Sequence, residues 1–308
     1  MNAQLDPQIA QLLRLLASAP PMESMPLAAL RASMAYPPPE QRTAVGEVAD
    51  LAIPCGAHEI AARLYRPARA AHGGLTLFFH GGGFVIGGIE THDHVCRDLC
   101  ALSGEAVLSV DYRLAPEHKF PAAPDDCLQA ARWAAEQAGS LGWRADRIVL
   151  AGDSAGATLA TVTALRLRDE GGPRPAAQVL VYPVTDYHTP PTPSYIENQS
   201  GYALTRAAMV RFWDDYLSDP DEAAHPHAAP LRAPDLSALP PTLLLSAGFD
   251  PLRDEGERYA HRLLDHGVPV TLWSHPGLIH GFFRMAAQCD AARATLARTS
   301  RWIAQAMA

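Results

Sequence analysis

The clearest chemical signal in the chain is a serine within a short glycine-containing motif. Residues 152–156 read GDSAG, a G-x-S-x-G pattern that follows an apolar run at 148–151 and precedes a helix-like segment. A sharp turn between strand and helix would hold the serine in a strained conformation with its hydroxyl above the sheet, and glycines on both sides avoid backbone collisions. The pattern therefore predicts Ser154 as a nucleophile for acyl transfer.

A second glycine run can supply the hydrogen-bond donors that this chemistry needs. Residues 80–83 read HGGG, directly after an apolar run at 75–79. The backbone N–H groups of Gly82 and Gly83, with that of Ala155, could stabilise the oxyanion of a tetrahedral intermediate. The alternative is a flexible turn or a phosphate-binding loop, but the G-x-x-x-x-G-K-[ST] pattern of a phosphate loop is absent.

A serine hydroxyl needs a base to accept its proton and a carboxylate to orient that base. His280 is the preferred base among 13 histidines, because it lies in a predicted loop at 277–282 beyond the last apolar run. Asp250 follows the run at 243–247 and is the preferred carboxylate. His275 is the alternative base. We therefore expect Ser154, Asp250 and His280 to form a catalytic triad.

Three other acidic residues beside these motifs are predicted to be structural. Asp254 and Glu255 fall at the start of the helix-like segment 253–266, where acidic side chains commonly complement the helix dipole. Asp153, next to the nucleophile, is also expected to be structural.

No metal or cofactor site is predicted. His92 with His94, and His225 with His227, are two residues apart, a spacing that brings both side chains to one face only in extended chain. The cysteines contain no CxxC pair, so buried thiols are expected rather than a zinc or redox site. They are Cys55, Cys96, Cys100, Cys127 and Cys289.

The composition favours a globular enzyme over a nucleic-acid-binding or membrane protein. Hydrophobic residues make up 48% of the chain, and 25 basic against 33 acidic residues give a net charge of −8 with no basic patch. No apolar stretch reaches the roughly 18 residues that a membrane span needs. The first 20 residues lack the pattern of a secretory signal. A cytoplasmic location is expected, and a homodimer is left open.

Apolar runs of strand length alternate with helix-length segments along most of the chain. The runs cover 60–65, 75–79, 106–110, 148–151, 179–182, 243–247 and 270–273. The clearest helical segments cover 124–137, 155–170 and 253–266, with a final helix at 290–307. This alternation predicts an α/β fold with a mostly parallel central sheet flanked by helices, and the motifs above lie at the ends of its strands.

Two segments outside this alternation are predicted to form a helical cap. The first 45 residues contain two short amphipathic helices, one capped by Asp6 and opening at Pro7, and one with an apolar stripe at 27–34. After 182, a Pro-rich stretch with a helix-like segment at 205–217 is too long for a structureless loop. We predict a cap built from residues 1–45 and 186–239, over a core built from 46–185 and 240–308.

Four blocks of the sequence together resemble the bacterial hormone-sensitive-lipase-like (family IV) esterases of the α/β-hydrolase superfamily. They are HGGGF at 80–84, DYRLAPE at 111–117, GDSAG at 152–156, and DPLRDE at 250–255 followed by HGF at 280–282. The resemblance covers roughly residues 60–285 and implies an α/β-hydrolase core, a helical cap and cofactor-free ester hydrolysis. It also implies the triad Ser154, Asp250 and His280 and the oxyanion donors Gly82, Gly83 and Ala155, which are the residues predicted above from the motifs.

The sequence departs from the family pattern at two positions, and one of the four matching blocks is not expected to take part in catalysis. Ala157 and Thr158 stand where the family usually has Gly and often has Asn, but both fall inside the predicted helix after the nucleophile. In the family the DYRLAPE block looks structural, so Arg113 and Glu117 are expected to be held in ion pairs.

The predicted function is that of a carboxylesterase acting on small-molecule esters of short to medium chain. An amidase or peptidase of the same fold shares the acid–base machinery. A non-catalytic receptor on this scaffold, such as the plant gibberellin receptors, lacks the catalytic histidine, whereas His280 is present here. Aromatic side chains are candidates for the substrate pocket, although each could equally belong to the core of the cap. They are Phe84, Tyr187, Phe212, Trp213 and Phe282.

Overall fold

The structure is a computed structural model that describes residues 4–34 and 37–308. Residues 1–3 and 35–36, which fall within the predicted cap segment 1–45, lie outside the described residues. The strands of the described part are β1 (Glu47–Cys55), β2 (His58–Arg66), β3 (Leu75–Phe79), β4 (Ala106–Asp111), β5 (Ile148–Asp153), β6 (Ala177–Val181), β7 (Thr242–Phe249) and β8 (Val270–Ile279). Its α-helices are α1 (Pro7–Leu16), α2 (Leu27–Ala32), α3 (Ile89–Ser103), α4 (Ala122–Glu136), α5 (Ala138–Leu141), α6 (Ala155–Asp169), α7 (Pro193–Glu197), α8 (Arg206–Tyr216), α9 (Arg253–Asp265) and α10 (Asp290–Ala306).

All of these strands belong to a single sheet in the order β1-β2-β4-β3-β5-β6-β7-β8. Strand β2 pairs antiparallel with β1 and β4, and the other pairings are parallel. The central strands β3, β5 and β6 are buried along their whole length, because helices cover both faces of the sheet. The predicted α/β fold with a mostly parallel sheet is confirmed.

The hydrophobic core is divided by the sheet into two clusters. Successive side chains of a strand point to opposite faces, so Leu77 belongs to one cluster and Phe78 to the other. Helices α4, α6 and α9 cover the first cluster, whereas α3 and α10 cover the second. This layering holds the carboxyl ends of the parallel strands, where the predicted catalytic residues lie, on a rigid base.

Several elements differ from the sequence-based expectation, and three of them are informative. Strand β1 was not predicted, because it is an edge strand in which only Ile53 is fully buried and Pro54 interrupts the pattern. Helix α3 was not predicted either, because buried polar residues disguise its apolar face. Strand β8 continues to Ile279, so the first half of the predicted loop at 277–282 is strand and the turn begins at His280.

The N-terminal helices form largely as predicted. The Asp6 side chain accepts hydrogen bonds from the N–H groups of Gln8 and Ile9, at 2.8 and 3.3 Å, at the start of α1. Helix α2 buries Leu30 and ends at Ala32, before the predicted end of the apolar stripe.

The segment between β6 and β7 contains α7 and α8, and the predicted helix at 205–217 corresponds to α8. The guanidinium of Arg211 in α8 donates to the carbonyl oxygens of Met22 and Met25, at 2.7 and 2.6 Å. We call residues 186–239, which lie between β6 and β7, the insertion. The N-terminal segment and the insertion are therefore in direct contact.

The sequence predicted that the chain has no membrane span and that its cysteines are buried thiols. No α-helix among residues 4–34 and 37–308 has the length and apolar character needed to cross a membrane. The five cysteines are free thiols, four of them buried and Cys55 half-buried. Cys96 and Cys100 lie on the buried side of α3.

Candidate active site

Ser154 lies in a tight turn between β5 and α6. Its backbone has φ 56° and ψ −125°, a strained conformation for a residue with a side chain, and its N–H donates to the carbonyl of Val181 at 2.8 Å. A Cβ atom on Gly152 would collide with the backbone of Gly156, and one on Gly156 would collide with the carbonyl of Phe79. Glycine at both positions is therefore what allows the strand and the helix to meet at this angle.

The three predicted triad residues are brought together at adjacent strand ends. Asp250 follows β7 and His280 follows β8. The Ser154 Oγ atom is 2.9 Å from His280 Nε2, and His280 Nδ1 is 2.7 Å from Asp250 Oδ2. Asp250 is fully buried and Ser154 is 7% exposed. This is the geometry in which a histidine can remove the serine proton while a carboxylate orients the imidazole.

The predicted catalytic residues His280 and Asp250 are held by neighbouring groups. Asp250 Oδ1 accepts the N–H of Leu252 at 2.8 Å, which leaves Oδ2 for His280. The Tyr182 ring lies against the imidazole, with 4.5 Å between ring centroids. Asn198, just beyond α7, donates from Nδ2 to the carbonyl of Asp250 at 3.2 Å. Sequence reasoning did not single out Asn198, which lies in the insertion with no motif around it.

The backbone N–H groups predicted as oxyanion donors lie on two segments beside the serine. Gly82 and Gly83 have φ values of 133° and 60° in the loop after β3, and Ala155 is the first residue of α6. A Cβ atom on Gly82 would collide with the carbonyl of Ile86. Within the described chain, none of these three N–H groups donates to a protein acceptor. They are available to bind the oxyanion of a substrate.

Asp153 links the two segments that carry these donors. Its Oδ1 atom accepts the N–H of Gly81 at 2.9 Å, and His92 Nε2 lies 3.3 Å from the same oxygen. Burial alone would raise the pKa of Asp153, but the adjacent His92 and the Gly81 N–H hold it low, at about 2. Sequence reasoning assigned this residue only a structural role, because its partners are remote in the chain.

The other acidic candidates contact the insertion. Glu255 is fully buried and its Oε1 atom accepts the N–H groups of Thr185 and Asp186, at 2.7 and 3.3 Å. Burial raises the pKa of this carboxyl group well above its usual range. Asp254 accepts the N–H of Ser194 at 2.8 Å. Both residues therefore tie α9 to the insertion, beyond any effect on the helix dipole.

The remaining histidine candidates do not join the triad. His275 lies within β8 and packs against the Phe282 ring at a centroid distance of 5.2 Å, and burial lowers its pKa. His92 and His94 are on α3, so the extended conformation needed for a shared ligand face is not adopted. His225 and His227 stack edge to face at 4.6 Å just beyond a 3₁₀ turn at 220–224.

The predicted pocket aromatics fall into two groups. Phe84 stacks on Tyr216 at 3.9 Å between centroids, and Trp213 meets Tyr187 edge to face at 5.3 Å. Phe212 packs over the loop after β3 that carries Gly82 and Gly83, which we call the oxyanion loop. The Phe212 ring would collide with a Cβ atom on Gly83. These side chains share one core cluster. Phe282 instead lies in the cluster on the opposite face of the sheet, fully buried against Tyr182.

Three potential metal ligands approach one another away from the triad. Cys55, His58 and Asp126 place ligand-type atoms within 4.8 Å of each other. The Arg113 guanidinium, however, binds both oxygens of Asp126 at 2.8 to 3.1 Å, and His58 Nε2 is 3.0 Å from Oδ1. The carboxylate is therefore already neutralised and hydrogen-bonded, and we interpret this cluster as a structural ion pair.

Two of the three charged residues of the DYRLAPE block, Arg113 and Glu117, are paired as expected. Arg113 forms the ion pair with Asp126, and Glu117 pairs with Arg31 of α2 at 2.7 Å. The second pair connects the N-terminal segment to the core.

Comparisons with known proteins agree with this fold. A family profile described as alpha/beta hydrolase fold matches residues 76–284. The chain is 45% identical over 245 residues to the carboxylic ester hydrolase LipN of Mycobacterium tuberculosis, covering 78% of this chain and 65% of that protein. The chain thus spans just under two thirds of the length of that relative.

Further relatives extend the match over more of their own length. The chain is 41% identical to the ethyl acetate hydrolase of Pseudomonas putida, over 75% of this chain and 73% of that protein. The solved structure of a hyperthermophilic esterase from Pyrobaculum calidifontis superimposes with a TM-score of 0.92 at 40% identity, covering 99% and 100% of the two chains. The chain therefore belongs to the hormone-sensitive-lipase-like (family IV) esterases of the α/β-hydrolase superfamily.

Proposed function

We propose that this protein hydrolyses carboxylic esters of short to medium chain through an acyl-enzyme formed on Ser154. The observation that carries the proposal is the continuous hydrogen-bonded path from Ser154 Oγ through His280 to Asp250, with distances of 2.9 and 2.7 Å. The three unpaired N–H groups of Gly82, Gly83 and Ala155 support the same reaction.

The reaction proceeds in two steps. Ser154 Oγ attacks the ester carbonyl carbon while His280 Nε2 accepts the hydroxyl proton, and the carbonyl oxygen becomes an oxyanion held by the backbone N–H groups. The tetrahedral intermediate expels the alcohol, which takes the proton from His280. A water molecule then loses its proton to His280 and attacks the acyl-enzyme. The second tetrahedral intermediate then expels Ser154 Oγ, which takes the proton back from His280, and the carboxylic acid is released. Asp250 stays ionised and stabilises the imidazolium in both steps.

The confined space above the serine supports short to medium chains. Ser154 is only 7% exposed, and Phe212 of the insertion packs over the oxyanion loop.

The proposed cap consists of residues 1–45 and 186–239, and Phe84, Phe212, Trp213 and Tyr187 are the proposed pocket aromatics. Relatives named ethyl acetate hydrolase and arylesterase fit this substrate class. A cytoplasmic location remains part of the proposal, and a homodimer stays open.

The proposal is tested with p-nitrophenyl esters of increasing acyl length on the wild type and on Ser154→Ala. We expect turnover of the acetate to hexanoate esters, a decline for longer chains, and a loss in kcat of at least about 10³-fold in the variant. Ser300→Ala is the matched control, because this serine is equally buried but lies in α10. Undiminished hydrolysis by Ser154→Ala would exclude Ser154 as the nucleophile.

A further inference from the structure

A single side chain joins the two segments that carry the oxyanion donors. Asp153 is the last residue of β5 and directly precedes Ser154, while Gly81 directly precedes Gly82. The Gly81 N–H donates a hydrogen bond to Asp153 Oδ1 at 2.9 Å. This bond therefore connects the oxyanion loop after β3 to the turn at Ser154, which we call the nucleophile turn.

The contact is tight as well as directional. A Cβ atom on Gly81 would lie 2.5 Å from Asp153 Oδ2 and 2.8 Å from its carbonyl oxygen. Real Cβ contacts are not this short, so the loop approaches the turn as closely as only a glycine permits. This pair is therefore one of the contacts that hold the two segments close together.

The carboxylate of Asp153 is itself held in place from other elements. His92 Nε2 of α3 lies 3.3 Å from Oδ1, and the Tyr182 hydroxyl, just beyond β6, lies 3.5 Å from Oδ2. Asp153 is 3% exposed, and both neighbours are equally buried. Rotation toward solvent is blocked, so the acceptor presented to Gly81 is fixed.

We propose that Asp153 is a positioning residue that sets the distance between the two halves of the oxyanion site. Donors act on the transition state only when they lie about 2.7–3.1 Å from the position of the oxyanion. Ala155 supplies one donor from the nucleophile turn, while Gly82 and Gly83 supply the others from the loop that Asp153 anchors. This inference rests on the proposed function. It assigns Asp153 a role in the reaction although Asp153 neither contacts the substrate nor takes part in proton transfer.

The test compares Asp153→Ala and Asp153→Asn with the wild type. The measurements are kcat and KM for p-nitrophenyl butyrate and the inhibition constant of a trifluoromethyl ketone, whose adduct with Ser154 carries an oxyanion. We expect the alanine variant to lose about 10²-fold in kcat and a similar factor in inhibitor affinity, with KM little changed. Asparagine keeps an oxygen that can accept the Gly81 N–H, so it should recover at least tenfold of the loss.

Gly81→Ala provides a second route that leaves the carboxylate intact. Its methyl group would push the loop away from Asp153, so we expect the same paired loss in kcat and inhibitor affinity even if Asp153→Ala fails to fold. Asp126→Asn is the matched control, because Asp126 is a fully buried carboxylate that accepts a backbone N–H from Arg113 at 2.9 Å away from the triad. This control should lower the melting temperature without changing the ratio of inhibitor affinity to KM.

The positioning role is excluded if folded Asp153→Ala or Gly81→Ala keeps wild-type kcat and inhibitor affinity, or loses substrate and inhibitor binding by the same factor. Ser154→Ala, measured in parallel, separates this result from a failure of the proposed function. An inactive Ser154→Ala beside a fully active Asp153→Ala overturns the positioning role alone. A fully active Ser154→Ala overturns both proposals.

Discussion

At the scale of single residues, the roles proposed for Ser154, His280 and Asp250 agree with which of their atoms already have hydrogen-bond partners. The two oxygens of Asp250 have different partners, because Oδ1 accepts the N–H of Leu252 and Oδ2 faces His280 Nδ1. The carboxylate therefore cannot rotate freely. It requires a proton on His280 Nδ1, which leaves Nε2 with a lone pair directed at Ser154.

Replacing the carboxylate by an amide should disable the base while preserving the fold. Asp250→Asn can present an N–H to His280 and so favours the wrong imidazole tautomer, for which we expect a fall in kcat of about 10⁴-fold with little change in KM. The measurement is steady-state hydrolysis of p-nitrophenyl butyrate together with a thermal melt.

The control for this substitution is Asp254→Asn, four residues further along the chain. Its carboxylate binds Ser194 in the insertion and does not contact the histidine. The control should keep kcat near that of the wild type. An Asp250→Asn enzyme with more than a tenth of wild-type kcat would show that His280 does not depend on this carboxylate.

At the scale of elements, the insertion is attached both to the N-terminal segment and to the turn after β7 that contains Asp250. Helix α7 and the residues after it bind the Asp250 turn, where Ser194 Oγ donates to the carbonyl of Pro251 at 2.6 Å. Helix α8 binds the N-terminal segment through Arg211. The segment that we propose as part of the cap therefore also helps to hold the Asp250 turn in place.

Removing the Arg211 side chain should loosen the N-terminal segment. Arg211→Ala loses two charge-assisted hydrogen bonds to carbonyl groups, and bonds of this kind contribute about 1.5–3 kcal/mol each. We expect faster proteolytic cleavage within residues 17–26 and a lower melting temperature. Limited proteolysis followed by mass spectrometry locates the cleavage.

The matched control is Arg206→Ala at the start of the same helix. The Arg206 side chain makes no hydrogen bond or ion pair with the chain over residues 4–34 and 37–308, so this variant should be cleaved at the wild-type rate. Equal cleavage of the two variants would mean that Arg211 does not anchor the segment.

At the scale of the whole molecule, the packed cores on both sides of the sheet enclose titratable groups. His94 of α3 is 9% exposed and its Nε2 atom donates to the carbonyl of Arg284 at 3.1 Å, close to the second core cluster. Burial lowers the pKa of His94 from 6.5 to about 4. Between these values the unfolded chain binds one more proton than the folded chain, so stability falls as the pH is lowered through this window.

The His94→Gln substitution should remove this part of the pH dependence. Glutamine can still donate to the Arg284 carbonyl, but it does not titrate. Between pH 7 and pH 5 we expect the wild type to lose about 2 kcal/mol more unfolding free energy than the variant. Urea unfolding at both pH values measures the difference.

The comparison has an internal control above the titration window. Between pH 7.5 and pH 8.5 His94 is neutral in both the folded and the unfolded chain, so the stability difference between the two proteins should be constant there. Parallel curves down to pH 5 would show that His94 is not buried in its neutral form.

Patterns in short stretches of chain were sufficient for the fold class, for most strands and helices, and for the candidate triad. Buried parallel strands such as β3 and β5 read as unbroken apolar runs, and the turn after β5 needs glycines on both sides of its serine. Both signals can be recognised in a few consecutive residues, although part of the crowding around Gly156 comes from the distant carbonyl of Phe79. They failed for β1 and α3, where exposure at an edge and buried polar groups hide the pattern.

Contacts between distant segments were decided only by the tertiary structure. The bond from Gly81 to Asp153, the ties of Glu255 to the insertion, and the separation of Phe282 from the other aromatics join residues far apart in the chain. Such contacts depend on how the layers pack, which no local pattern encodes. Residue types and their order thus indicate the chemistry proposed for the chain, while the packing of the insertion and the loops around Ser154 decides where the proposed oxyanion donors lie.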